Sequence, residues 1–266
     1  MHQKSTNHYT VAQLYPTMTI VDPHKPTETP PAISVIIPAF NEEGYLADCL
    51  SSAIARFANG AAEIIVVDNN STDSTREIIE AFPQVTYVFE PRKGITRARQ
   101  RGFDAARGEI LAFIDADTRP PSGWIEQIRW YFDCHEDLAC LSGPYSFYDL
   151  TGLRRRLATG WFTLAQPIYW MTGYLIVGGN FAIRRDVLER MGGFDTSIEF
   201  YGEDVDIAKR AKQYGRVLFS KTFVMPTSAR RMQRHGFAKM AFIYFANFVS
   251  IAIRGRPASK TYEDIR

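Results

Sequence analysis

Several things are scarce in this chain, and each scarcity excludes something. Cysteine occurs three times in 266 residues, as Cys49, Cys134 and Cys140. The number is odd and the spacing is not that of a zinc site, so the three read as buried or incidental thiols of a reducing compartment. Net charge is scarce too. Thirty-one Lys and Arg against twenty-nine Asp and Glu leave +2, which gives no global field to attract nucleic acid. No apolar run reaches the length of a membrane-spanning helix. The nearest, Met240 to Ile253 between Lys239 and Arg254, is about half to two-thirds of a span. It is either a buried C-terminal helix or a helix lying in a membrane interface. No secretory signal is visible, and residues 1 to 31, polar and ending in Pro23, Pro26, Pro30 and Pro31, read as a disordered arm. Internal repeats are absent. A glycine-rich phosphate loop is absent after the first apolar run, where only Gly44 is near, and this disfavours a nucleotidyltransferase.

What is present is a regular alternation. Apolar residues make up 45% of the chain, ample for the core of one large α/β domain or two small ones. Ile33–Pro38, Glu63–Asp68, Val85–Glu90 and Glu109–Ile114 are Val/Ile-rich runs of strand length. Between them, Tyr45, Leu46, Cys49, Leu50, Ala53, Ile54 and Phe57 recur at helical spacing. Ser74 and Glu77 are placed as a capping box for a second helix, and Ile95–Arg107 forms a third. Continuous apolar strands separated by amphipathic helices predict a parallel sheet covered on both faces. Ligands bind such sheets beyond the carboxyl ends of the strands. Those exits are Pro38–Glu43, Asp68–Asn70, Pro91–Gly94 and Asp115–Asp117. Further on, helices are expected over Trp124–Phe132, Arg154–Trp170, Asp186–Met191 and Val205–Tyr214. Strands are expected over Leu138–Ser142, Leu175–Ile183 and Val217–Ser220. No clean linker follows residue 31, so one domain with two sub-parts is expected.

Asp115-Ala116-Asp117 is the most informative motif. On an extended segment its two carboxylates point to one side, and their repulsion is relieved most simply by a shared cation. Mg²⁺ or Mn²⁺ suits oxygen ligands and typically also holds substrate phosphates. A polar turn is the plainer alternative. Of Arg97, Arg99 and Arg101, which alternate on the third helix, at most one or two can approach a common ligand. Glu203-Asp204, opening a helix, could supply a general base or simply cap the helix.

Pro38-Ala39-Phe40-Asn41-Glu42-Glu43, Val67-Asp68-Asn69-Asn70-Ser71-Thr72-Asp73, Asp115-Ala116-Asp117 and Gly202-Glu203-Asp204 together resemble, in order and spacing, the motifs of family 2 glycosyltransferases. The resemblance covers about Ile33 to Ser220. It implies the GT-A fold, a mixed, mostly parallel α/β sheet with helices on both faces, in which a nucleotide-binding half is merged with an acceptor-binding half. On that reading residues 32–228 form the glycosyltransferase domain and 229–266 a basic loop and an apolar helix. The implied activity is metal-dependent, inverting transfer of a sugar from a nucleotide diphosphate sugar, with UDP favoured, to a hydroxyl acceptor, lipid-linked or polysaccharide. The alternatives are an inactive nucleotide-binding relative and a nucleotidyltransferase.

The resemblance also assigns roles. Asp204 would be the base and Glu203 its neighbour at the acceptor. Pro38, Ala39, Phe40, Glu42 and Asp68 would hold the base and ribose, and Lys93 and Arg99 the nucleotide sugar. Asp115 would reach the ribose or the metal, Ala116 would lie beside the donor, and Gly179 and Asn180 would flank its sugar. Asp117 would ligate Mn²⁺ or Mg²⁺, with Asp115 and His235 as further candidate ligands. Arg230, Arg231 and Arg234 would belong to a basic loop over the diphosphate. The nearest match to the Q-x-x-R-W motif of processive polymer synthases is Arg231-Met232-Gln233-Arg234, which disfavours processive synthesis. The expected location is the cytoplasm, including the cytoplasmic face of a membrane reached through 240–253.

Overall fold

The computed structural model describes residues 32–57, 62–198 and 202–236, with scattered positions between 239 and 250. The expected N-terminal arm and most of the 240–253 segment lie outside the described residues. Five strands carry the first half of the fold: β1 (Ile33–Ala39), β2 (Ala62–Asp68), β3 (Thr86–Phe89), β4 (Ile110–Ile114) and β5 (Leu138–Ser142). The helices between them are α1 (Leu46–Phe57), α2 (Thr75–Glu80), α3 (Ile95–Ala105) and α4 (Trp124–Cys134). The second half adds β6 (Tyr145–Phe147), α5 (Gly152–Thr172), β7 (Asn180–Arg184) and α6 (Arg185–Arg190). It closes with α7 (Glu203–Ala211), β8 (Arg216–Phe219), β9 (Met225–Thr227) and α8 (Arg230–His235).

Seven strands form one sheet in the order β3-β2-β1-β4-β7-β5-β8. All neighbours are parallel except around β7, which runs antiparallel to both β4 and β5. This is the mixed, mostly parallel sheet that the motif resemblance implies. Alternation along β1 explains the two covered faces. Ile33, Val35 and Ile37 pack with α1 and with Trp124, Ile125 and Ile128 of α4. Ile36 packs on the other side with Val67, Phe113, Ala98 of α3 and Ala208 of α7. Each fully buried aliphatic or aromatic side chain of this kind contributes roughly 1.5–3 kcal/mol, so the sheet is a rigid base for the loops at its edge.

Three sequence expectations shift, and one pairing was not foreseen. The run Leu175–Ile183 is a strand only from Asn180. Gly178 and Gly179 form a turn closed by Asn180 N–H to Val177 O at 2.9 Å. The Ser74–Glu77 capping box does not form, because the Ser74 side chain makes no cap bond. Instead Asp73 Oδ1 accepts from Thr75 N–H at 3.0 Å and Glu43 Oε2 from Ser74 N–H at 3.2 Å. Helix α7 begins at Glu203, two residues before the apolar periodicity does. Finally, β6 and β9 pair in parallel as a separate two-stranded ribbon. Three-residue strands carry too little periodicity to be read in advance.

Candidate active site

The exits of β1 and β2 lock to one another. Asn41 (φ 50°) and Asn70 (φ 66°) are the non-glycine residues with left-handed backbones among those described, and Asn tolerates that region better than most. Asn41 Oδ1 accepts from Thr72 N–H at 2.8 Å, Ser71 Oγ from Asn41 N–H at 3.0 Å, and Thr75 Oγ1 from Glu42 N–H at 2.7 Å. Asp68 is buried at the end of β2. Its Oδ1 accepts from Ser71 N–H at 2.9 Å and its Oδ2 from the Tyr87 hydroxyl at 3.4 Å. Asn69 stitches this exit to the next, donating to Glu90 O and Arg92 O and accepting from Gly94 N–H. Pro38 and Ala39 sit inside β1 and are buried, and Ala39 O is taken by Asn69 N–H at 2.8 Å. Of the first three expected pocket residues, only Phe40 retains exposure. The Lys93 ammonium lies 4.3 Å from its ring centre.

After β4 the chain turns, and Thr118 N–H bonds back to Asp115 O at 3.1 Å. Asp115-Ala116-Asp117 is therefore a turn and not the extended segment expected from its spacing. The two carboxylates take different partners. Asp115, partly exposed, accepts from the Tyr145 hydroxyl at 2.9 Å and faces Arg99 Nη2 at 3.7 Å. Asp117 is buried, accepts from Thr227 Oγ1 at 3.2 Å and pairs with Arg230 Nε at 2.8 Å. Arg230 also donates from Nη2 to Glu42 Oε1 at 2.6 Å, so one guanidinium bridges the exits of β1 and β4. Its plane lies 4.5 Å from the Tyr45 ring centre. Burial pushes the Asp117 carboxyl up; Arg230 opposes this and the charge of Asp115 adds to it. Ala116 is buried within the turn.

Arg99 is the hub of the other half. It is only 2% exposed, whereas Arg97 is half-buried and Arg101 exposed, which is the divergence that alternate positions on a helix impose. Its Nη2 donates to Gly178 O at 2.7 Å and its Nη1 to Glu203 Oε1 at 3.3 Å. Arg99 thus ties β4's exit, the Gly178-Gly179 turn and the start of α7 into one cluster. Gly202, at φ 91°, supplies the left-handed entry to that helix. Burial pushes Glu203 up, partly offset by Arg99. Burial and the adjacent charge of Glu203 push Asp204 up to about 7. Burial and the charge of Asp115 hold the Tyr145 phenol well above its usual range, so it stays a donor. A Cβ on Gly179 would collide with the Asp115 carboxylate and the Tyr145 hydroxyl. Glycine there lets the backbone close over both.

Asn180 is fully buried, and its amide donates to Phe223 O at 2.7 Å and Gly143 O at 3.1 Å while its Oδ1 accepts from Trp124 Nε1 at 3.1 Å. Its side-chain hydrogen bonds are made within the fold. The His235 side chain lies outside the described residues. Tyr145 and Thr227 were not foreseen from sequence. They reach the two aspartates from the β6–β9 ribbon, which no local pattern announces. Arg230 was foreseen as part of a basic loop, without its partners.

Among the described residues no three His, Cys, Asp or Glu side chains converge as a self-contained metal site. Asp115 and Asp117 are carboxylates of the hard-oxygen kind that Mg²⁺ or Mn²⁺ takes, and here they are held by Tyr145 and Arg99 and by Thr227 and Arg230. The sequence profile described as Glycosyl transferase family 2 matches residues 34–192. Glycosyltransferase AglE of Haloferax volcanii is 28% identical over 214 residues, 74% of this chain and 66% of that protein. The chain spans 66% or less of the length of the first curated relatives it matches. Among solved structures, the mannosyltransferase PcManGT of Pyrobaculum calidifontis, in complex with GDP-Man and Mn²⁺, superposes with a TM-score of 0.64 at 22% identity. That match covers 85% of this chain and 65% of the other. Glucosyl-3-phosphoglycerate synthase of Mycobacterium tuberculosis, with Mn²⁺, UDP-glucose and phosphoglyceric acid, does so with a TM-score of 0.62 at 22% identity, covering 86% and 81%. These likenesses establish a shared fold.

Proposed function

The chain belongs to glycosyl transferase family 2, and from that premise we propose that it moves a sugar, with inversion, from a nucleotide diphosphate sugar to a hydroxyl acceptor. The observation that carries this is the meeting of Asp115, Glu203 and Gly178 on the buried Arg99. It brings the end of β4 and the first turn of α7 into one cluster, with Asp204 next to Glu203 in the chain. On this reading the acceptor oxygen attacks the anomeric carbon as the bond to the diphosphate breaks. Asp204 takes the hydroxyl proton. A carboxylate held near neutrality is suited to that work, because it is both deprotonated at working pH and basic enough to accept.

Asp117 and Asp115 would hold a divalent cation, Mn²⁺ or Mg²⁺, which when bound supplies positive charge to the leaving diphosphate. Mn²⁺ accompanies the nucleotide sugars in both neighbours named above. Arg230, already between Glu42 and Asp117, would turn its remaining donors to the same phosphates. Asp68 and Phe40 would receive the base, with UDP favoured over GDP. Lys93, stacked on Phe40, would lie over it. The acceptor is a hydroxyl of a lipid-linked or polysaccharide chain.

The test is the Asp204→Asn variant. It should bind UDP as the parent does in a thermal-shift titration. Its transfer from a matched UDP-sugar should fall about 100-fold or more. Retained turnover rejects Asp204 as the base. A parent protein that neither binds nor hydrolyses any nucleotide sugar rejects the whole reading.

A further inference from the structure

Helix α5 leaves several large apolar side chains exposed. A surface helix ordinarily buries an apolar stripe and shows water a polar one. Here Leu153, Leu157, Trp170 and Met171 are between 59% and 87% exposed, and of the other described large apolar side chains only Phe242 reaches that range. At 3.6 residues per turn Leu153, Leu157 and Met171 fall within about 40° of one another, while Trp170 is turned about 100° away from Leu153 and Met171. The inward side holds Ala158 and Gln166, both buried, and Tyr169, whose hydroxyl donates to Val217 O at 3.2 Å. Exposed apolar side chains thus stand at both ends of the helix, Leu153 and Leu157 at its start and Trp170 and Met171 at its finish.

Charge gives the partner its sign. Arg154, Arg155 and Arg156 are all exposed in the opening turns of α5. A helix N-terminus favours acidic residues through its dipole, so three cations there do not serve the helix. None of them has an ion-pair partner among the described residues. Exposed Leu153, Leu157 and Met171 on one side of a helix, with a cluster of arginines at its start, suit a helix lying flat in an anionic lipid interface. No helix among the described residues is long and apolar enough to cross a membrane, which leaves lying on the surface as the available mode.

We propose that the outward face of α5 seats the protein on an anionic bilayer. The placement has a consequence for the pocket. The helix departs shortly after β6, whose Tyr145 bonds Asp115, and its last turn is tied by Lys212 Nζ to Thr172 O at 2.5 Å. The chain then enters the Gly178-Gly179 turn held by Arg99. A lipid surface under α5 therefore lies alongside two segments of the site. The seating itself does not depend on the reaction proposed above.

The full chain is sedimented with phosphatidylcholine vesicles and with vesicles containing phosphatidylglycerol. It should co-sediment with the anionic vesicles only, and less so as salt is raised. Leu157→Glu and Met171→Glu should each abolish co-sedimentation, and the triple Arg154, Arg155, Arg156→Gln variant should remove the preference for phosphatidylglycerol. Circular dichroism and UDP binding serve as controls for folding. A parent chain that stays in the supernatant overturns the proposal. So does lipid binding unchanged by Leu157→Glu, which would move the contact to another segment. So does a dimer, seen by analytical ultracentrifugation, that Leu157→Glu dissociates without any lipid binding, which would give the face to a second copy.

Discussion

Asp204 answers to two demands that conflict. As a base it must be charged at working pH, yet burial and Glu203 oppose that charge and push it up to about 7. Activity should therefore decline with falling pH through about 7, and a pH profile of kcat/KM checks this. Stability moves the other way. The folded value lies above the ordinary 3.8, so between roughly pH 4 and 7 the folded state binds more protons than the unfolded chain. Stability is then lost as pH rises through that window. Asp204→Asn removes the buried charge, so its melting temperature should exceed the parent's at pH 8 and approach it near pH 4. A variant no more stable at pH 8 would mean that Asp204 is not forced to ionise in the fold. Gly179 makes a separate, steric prediction. Gly179→Ala drives a methyl group into Asp115 and Tyr145. It should cost about 1–3 kcal/mol of stability and on the order of 100-fold in kcat/KM, since misplacement at a reacting centre is expensive. Urea unfolding and steady-state kinetics measure both.

Short elements matter beyond their size. Helix α8 spans six residues, yet its Arg230 neutralises two buried carboxylates from strands far apart in sequence. Arg230→Ala leaves Glu42 and Asp117 without that charge and should destabilise the protein by about 3 kcal/mol, read from urea denaturation. A change within error would mean that the pair is solvated in solution. The β6–β9 ribbon acts in a similar way, bringing Tyr145 to Asp115 and Thr227 to Asp117. Helix α3 shows what sequence spacing can and cannot do. Alternation told in advance that Arg97, Arg99 and Arg101 could not act together, but it did not choose Arg99. Packing of α3 against β1 and β2 chose it, because that face of α3 is the one the sheet buries, and the Arg99 guanidinium then reaches the Phe181 ring of β7.

At the scale of the molecule, Asn180 fastens β7, the β5 exit, the loop at Phe223 and Trp124 of α4 through one amide. Asn180→Ala orphans buried carbonyls and an indole N–H. It should cost about 3 kcal/mol, or roughly 10 °C in melting temperature for a chain of this size. Donor affinity measured well below that melting point should change little. A stable variant with weak donor binding would return Asn180 to the sugar. The core strands, the helices between them and the polar strand exits were legible because each is encoded locally. Apolar runs fix buried strands, 3.6-residue spacing fixes helix faces, and parallel order puts the chemistry at carboxyl ends. Motif order named the family. What the chain alone could not yield is partnership. Arg99 meeting Glu203 and Arg230 meeting Glu42 join residues 104 and 188 positions apart. No local pattern encodes such a pairing, because it exists only once the sheet has set the loops side by side. For the same reason the burial of Asn180 and the exposure of Leu153 and Leu157 on α5 came from packing, which decides what is left facing solvent.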